Sequence, residues 1–504
     1  MVDPQSTPHQ SLARRAAGGA AWIAAEMFAV QGASLLVFGV IARFVSPSEF
    51  GIISICIVIL HTTKSLLIDN FGYAVIRKPE ADHLEYTTAF WMTIAFSLLS
   101  FLVLEATADL LQRMFEISGF ATTMREMAIV ILIMGLARTH ECWMFRHFQF
   151  RLLAIRSIAA AIAGGGVGIA LAARGYGIEA LVAQQVVTYL TALVALWGAC
   201  PWKPVFSISK SAAGEIFRFV GQTTPGGFLG ILSQNCDTLL VAYFFGPANT
   251  GLYSVAKRLR LAMQLVASAP INGIALPTLA DAQREPERLR RVLSQANGIV
   301  CAVCAPLFLG VAAVADDVIT LLFGSRWAAA APILQWLAAG GVAAALLACN
   351  DAVFAVRGRP IWTFYVSAAY TILAVLGFVG LYRLGNAYLA APFVLPYVVT
   401  LPFSAWLCSR VTTVSFSDWL LRVLPALASA IIMLIAVRLL GGILSGPGPI
   451  ARLAILCPFG AVIYVGALAI FDRSTLRKIT ETVGEILLSR SAHAKLIGEP
   501  PANV

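Results

Sequence analysis

Charge is scarce in this chain. Only 12% of its 504 residues are Asp, Glu, Lys or Arg, against about a quarter in a soluble domain. Acid is scarcer than base, 26 against 36, for a formal net charge of +10. There is no GxxxxGK[ST] sequence, which excludes a resident ATPase, and no HExxH or GxSxG. No polar stretch between apolar runs is long enough to fold alone. The longest, Leu276 to Gln295, rules out a soluble catalytic domain. Nine cysteines lie mostly inside apolar runs. Cys301-x-x-Cys304 has no second pair or histidine cluster beside it, so we expect small packing residues, no metal and no cofactor.

What remains is hydrophobic: 59% of residues, with a mean hydropathy of +0.81. The apolar runs approach 20 residues, the length that spans a bilayer. We place fourteen spans near 19–42, 50–69, 87–108, 122–142, 153–173, 179–199, 216–245, 251–275, 296–320, 329–352, 361–382, 387–409, 420–441 and 451–471. Gly164-Gly165-Gly166, Pro225-Gly226-Gly227, Pro392 and Pro396 interrupt them and mark places to bend.

With the N-terminus inside, and charges near span ends counted with the adjoining loop, inner segments hold 23 of the 36 Lys and Arg. Outer loops hold eight and spans five. This bias favours an even span count with both termini cytoplasmic. It also accounts for the net charge, so no nucleic-acid partner is implied. Residues 1–18 read as a cytoplasmic tail rather than a cleaved signal.

One stretch occurs twice. Ala42 to Ser54 reads ARFVSPSEFGIIS, and Ala242 to Ser254 reads AYFFGPANTGLYS, 200 residues on, with five of thirteen positions identical. Each copy reads as helix, tight turn, helix. Six spans separate them, so both turns fall on the outer face, as in a parallel repeat of two related transporter halves. The expected fold is an all-α polytopic membrane protein of about 14 transmembrane helices. It comprises an N-lobe (19–200), a cytoplasmic interlobe segment (201–215), a C-lobe (216–410) and two extra helices (411–471). A tail (472–504) follows, with Leu476, Ile479, Val483, Ile486 and Leu487 at helical spacing.

Charges inside spans are costly and usually face protein or water. They are Glu26, Lys64, Asp69, Arg138, Glu141, Asp237, Lys257, Arg258, Arg260 and Asp351. Arg138 and Glu141, three apart, suit a pair. Lys257, Arg260 and Gln264 share a helical face, and the repeat offset matches Gln264 with Lys64. Two readings fit. Asp237 neutralises Lys257 or Arg258 and ties spans 7 and 8 together, or Lys64, Lys257 and Arg260 line a cationic cavity for a phosphate-bearing substrate. Pro47, Gly51, Pro247 and Gly251 are either plain turn residues or parts of an outer gate.

The order of several stretches resembles a known family. They are IARFVSPSEFGIISI (41–55), DNFGYAVIRKPE (69–80), TTAFWMTI (87–94), QNCDTLLVAYFFGPANTGLYSVAKRL (234–259), ALPTLADAQREPERLRRVL (275–293) and LLFGSRWAAAAPILQWLA (321–338). The chain resembles the polysaccharide exporters, or lipid-linked oligosaccharide flippases, of the multidrug/oligosaccharidyl-lipid/polysaccharide superfamily. The resemblance implies two pseudo-symmetric, MATE-like six-helix lobes around a cavity, plus two helices, and alternating access without catalysis. It implies an oligosaccharide on undecaprenyl diphosphate as substrate, membrane lipid as surroundings, and a bacterial inner membrane. It also implies a polysaccharide polymerase or export machinery as partner. A cation-coupled multidrug exporter on the same fold and a membrane polysaccharide polymerase are the rivals.

Overall fold

The computed structural model describes residues 8–477 apart from 79–80, 271–284, 360, 383–384, 386–388, 413–414, 445 and 447. Every regular element among the described residues is a helix. In order they are α1 (Pro8–Ile41), α2 (Pro47–Leu67), α3 (Asp69–Ile76), α4 (His83–Phe115), α5 (Phe120–Arg146), α6 (Phe150–Ala173), α7 (Ile178–Ala199) and α8 (Lys210–Pro270). Then come α9 (Pro286–Ala313), α10 (Ala315–Phe323), a 3-10 turn (Ser325–Ala330), α11 (Ala331–Val356), α12 (Ile361–Leu381), α13 (Ala391–Val394), α14 (Pro396–Val411), α15 (Phe416–Ile443) and α16 (Pro449–Phe471). Helices are what such a sequence must form, because hydrocarbon offers backbone groups no other hydrogen-bond partner.

Twelve helical stretches among the described residues are long and apolar enough to cross a membrane. The expected count of fourteen is not confirmed: span 216–245 and residues 251–270 of span 251–275 fall on α8, outside these twelve, and 271–275 lie outside the described residues. α1 begins at Pro8, ahead of the expected start at residue 19. The tail beyond residue 477, including most of the amphipathic pattern, lies outside the described residues, as do residues 276–284 of the expected Leu276 to Gln295 loop, whose residues 286–295 open α9 instead.

The chain divides into two compact units. The first holds residues 1–259, 322–330 and 384–389, and the second holds 260–321, 331–383 and 390–504. In the first, α6 packs on α7 and α1, and α4 packs on α5. Small residues allow the approach. A Cβ on Gly164 would strike Thr188 and Gln184 of α7, and one on Gly165 would strike Val37 of α1. The glycine run expected as a bend therefore sits inside unbroken α6 as a packing surface. Pro392 and Pro396 do interrupt, leaving the four-residue α13 before α14. In the second unit α9 packs on α11 and α15, and α15 on α16.

Of the 201–215 segment, residues 201–209 are non-helical and 210–215 open α8. Trp202 is buried beside Tyr86 and Phe90, and Trp91 Nε1 donates to the Val205 carbonyl at 2.9 Å. Lys78, outside the spans, bridges Glu85 and Glu215. Its hydrogen bonds to Glu215 and then to Glu85 hold its ammonium above the usual lysine range.

Candidate functional site

The repeated turns are built differently. In the first copy Ser46 caps α2. Its hydroxyl accepts from the Glu49 amide at 3.3 Å, and the Glu49 carboxylate accepts from the Ser46 amide at 2.7 Å. Pro47 opens the helix, where its missing N–H costs nothing. In the second copy α8 runs on through one irregular residue, Gly246, at φ 74° and ψ −178°. A side chain is disfavoured in that conformation, so glycine stands where the first copy has serine. Pro247 follows, and Thr250 Oγ1 donates back to the Gly246 carbonyl at 2.8 Å.

The two turns pack against each other within the first unit. A Cβ on Gly51 would run into the carbonyl of Pro247, and a Cβ on Gly251 would run into that of Pro47. The contact is reciprocal and backbone to backbone, so no side-chain shift could make room. All four turn residues singled out from the repeat, Pro47, Gly51, Pro247 and Gly251, meet at this one crossing.

Beside it lies an aromatic cluster. Phe38 and Phe50 sit 4.2 Å apart, with the ring of Trp327 5.6 and 5.9 Å from them. Trp327 is wholly buried, and its Nε1 donates to the Ala42 carbonyl at 2.8 Å. Arg258 faces this cluster, its guanidinium 4.9 Å from the Phe38 ring and 5.3 Å from that of Phe50. Among the described residues it has no carboxylate within 4 Å. Cation–π contact is its visible compensation.

Lys257, one residue earlier and a third of a turn round the helix, points elsewhere. Its Nζ donates to Asp237 Oδ1 at 2.7 Å, to the Gln234 carbonyl at 2.9 Å and to Thr238 Oγ1 at 3.2 Å. Tyr253 donates to Asp237 Oδ2 at 2.7 Å, and the Thr238 amide to Oδ1 at 2.6 Å. The pair joins the two sides of the Gly246 break. Of the two partners considered for Asp237, Lys257 is the one in contact.

Lys64 belongs to a longer chain of charges on α2, α3, α5 and α6. Its Nζ is 2.8 Å from Asp69, Arg138 Nε is 3.1 Å from the same carboxylate, and Arg138 Nη1 is 3.5 Å from Glu141. Arg156 closes the chain on Glu141. Arg138 also lies 4.7 Å from the Tyr73 ring. Glu26, Arg138, Glu141 and Arg156 line a cavity of about 320 Å³ in the first unit. Arg260 and Gln264 belong to the second unit, where Gln264 Oε1 is buried without a protein partner among the described residues. Among those residues no group of three or more His, Cys, Asp or Glu is arranged to hold a metal ion.

Arg156, Tyr253, Phe38, Phe50 and Trp327 were not among the sequence candidates. Arg156 was counted with an inner loop. Tyr253 lies one helical turn before Lys257, a spacing that could have linked them. Trp327 lies in the LLFGSRW stretch, but nothing in a single sequence connects it to Ala42, 285 residues away.

The fold matches membrane transporters of known structure. The chain is similar to the lipid II flippase MurJ in an inward closed conformation, with a TM-score of 0.72 and 13% identity over 90% of this chain and 98% of that one. It is also similar to an inward-facing multidrug resistance MATE family transporter of the MOP superfamily, with a TM-score of 0.56 and 13% identity over 76% of this chain and 95% of that one. The fold is that of MOP-superfamily transporters.

The chain belongs to the family described as polysaccharide biosynthesis protein, whose model matches residues 40–332. Relatives include the succinoglycan biosynthesis transport protein ExoT of Rhizobium meliloti, 24% identical over 89% of this chain and 92% of that protein. The teichuronic acid biosynthesis protein TuaB of Bacillus subtilis is 23% identical over 84% and 89%.

Proposed function

We propose that this protein flips oligosaccharide repeat units linked to undecaprenyl diphosphate across the bacterial inner membrane, for assembly of an exported or surface polysaccharide. The observation that carries this reading is the charged cavity inside the first unit's apolar helices. Moving a diphosphate and a sugar chain through some 30 Å of hydrocarbon needs such a substitute for water. Arg138 and Arg156 there are balanced by Glu141 and Glu26, and Asp69 links Arg138 to Lys64 beyond the wall. A chamber neutral at rest avoids an uncompensated charge and still offers guanidinium groups to phosphate. Family membership and the names of relatives in polysaccharide transport support the substrate class.

In this reading Lys64 and Lys257 of the first unit meet the diphosphate, with Asp237 and Arg258 beside Lys257, and Arg260 and Gln264 are the substrate-contact candidates that the second unit offers. The crossing of Pro47-Gly51 with Pro247-Gly251 is an outer gate in its closed state. Substrate shifts the balance toward the open state by binding it more tightly. Both termini are cytoplasmic, as the loop charges favour. The protein performs no covalent step and delivers its cargo to a polymerase or export machinery.

Reconstitution into liposomes with a labelled diphosphate-linked oligosaccharide tests the reading. We expect translocation without sugar transfer, and its loss in Lys257→Glu and in Arg260→Glu proteins that still insert. Export of cationic dyes alone would favour a multidrug exporter, and glycosidic bond formation a polymerase; either result overturns the proposal.

A further inference from the structure

A second polar cavity lies in the other unit, away from the charges described above. It measures about 620 Å³ and is walled by the start of α9, the start of α15 and the end of α16. These are the same ends of three membrane-crossing stretches, beginning at Glu287 and Phe416 and ending at Phe471, so the cleft sits at one surface of the membrane.

Its lining holds three guanidiniums, Arg290, Arg291 and Arg422, and three carboxylates, Glu287, Asp418 and Asp472. Most of these groups are already committed. Asp418 binds Arg290 at 2.7 Å. Asp472 accepts from Ser474 Oγ at 2.7 Å, the Thr475 amide at 3.0 Å and Thr475 Oγ1 at 2.6 Å. Arg291 and Arg422 also face the cleft, with Glu287 in the same lining and Asp472 within electrostatic reach of Arg422. Among the described residues neither arginine has a carboxylate within 4 Å. Arg291 Nε makes only a long 3.4 Å contact to a carbonyl of its own helix. Two uncommitted guanidinium forks in one cleft match the oxygens of a phosphate diester. The same cleft is lined by Leu421 and Phe471, large apolar side chains that are 66% and 53% exposed. Phosphate at the bottom and acyl-chain surface at the side are the two halves of a membrane lipid.

We propose that this cleft binds the phosphodiester headgroup of an anionic glycerophospholipid, held by Arg291 and Arg422, with Glu287 accepting hydrogen bonds from headgroup hydroxyls. Which leaflet supplies the lipid rests on the orientation proposed above, where it is the cytoplasmic one. Binding itself does not depend on that orientation or on the transported cargo.

Native mass spectrometry of the full-length protein, titrated with phosphatidylglycerol or phosphatidylcholine, tests the site. We expect phosphatidylglycerol to be retained preferentially and its binding to weaken at least tenfold in R291Q/R422Q. Equal retention in wild type and variant would overturn the proposal. Complete displacement of phosphatidylglycerol by equimolar inorganic phosphate would overturn the lipid assignment in favour of free phosphate. A second measurement uses the wild type alone, so a folding defect in the variant cannot mask the answer. A phosphatidylglycerol carrying a photoreactive headgroup should label peptides containing residues 287–295 or 418–425, and labelling confined to other regions would refute the site. Neither readout involves translocation, so failure here is distinguishable from failure of the flippase reading.

Discussion

The two copies of the repeated turn reach one contact by different local chemistry. The first uses a serine cap and the Glu49 carboxylate to start α2 cleanly. The second joins two helices across a kink at a single positive-φ glycine, Gly246. What the copies share is Pro and Gly at matching positions, the residues the crossing requires. What they do not share is how their buried charges are satisfied. At the far end of the helix that the first turn opens, Lys64 joins a chain in which Asp69 and Glu141 each serve two cations. Near the second, one carboxylate, Asp237, serves one cation, Lys257. Shared backbone geometry with divergent side-chain chemistry indicates that the crossing constrains the fold, while the helices that lead away from each turn set their own polar contacts.

This contrast can be broken at the charges first. Asp237→Asn leaves Lys257 without its counterion, and losing one partner of a buried pair costs about 3–5 kcal/mol. We expect a large fall in thermal stability, largely restored in D237N/K257M. Asp69→Asn should cost less, because Arg138 keeps Glu141 and Lys64 stays within electrostatic reach of the same carboxylate. Equal losses for the two single variants, measured by detergent-solubilised unfolding, would erase the distinction between chain and pair.

The shared crossing gives the next largest effect. Gly51→Val and Gly251→Val place side-chain carbon against backbone carbonyl, an overpacking of about 1–3 kcal/mol. Because the clash exists only while the turns touch, it should bias the protein toward separated turns by roughly 5- to 150-fold. Cysteine accessibility at positions flanking the turns should rise in both variants alike. A response from only one glycine would refute the reciprocity.

The smallest effects belong to the turn chemistry. Ser46→Ala removes an N-cap worth about 0.5–2 kcal/mol. Gly246→Ala puts a Cβ on positive-φ backbone and should destabilise by about 1 kcal/mol. Exchanging the solutions sharpens the comparison: Gly246→Ser should be tolerated less well than Ser46→Gly, because only the second copy needs positive φ. Unfolding midpoints of the two variants would show it.

Much of this molecule was legible in its sequence. Apolar runs of bilayer length announced a polytopic helical protein, and the 200-residue repeat singled out Gly51 and Gly251. Arg138 and Glu141 were readable as a pair because they are three apart on a helix. Less legible was the direction each cation takes. Lys257 and Arg258 are neighbours in sequence, yet one meets a carboxylate and the other an aromatic cluster, since successive helical residues point about 100° apart. The glycine run of α6 was read as a bend and proved to be a packing face, a difference set by Thr188 and Val37 on other helices.

The sequence by itself determined the solvent, the helices and the repeated turn. These follow from composition and local spacing, because hydrocarbon length and backbone satisfaction act on any chain of this kind. Only the tertiary structure decided that the two turns touch through their backbones, that Trp327 locks onto Ala42, and which carboxylate each buried cation meets. Such choices depend on which helices lie side by side. Close packing and charge neutralisation act over a few ångströms of space, whatever the separation along the chain.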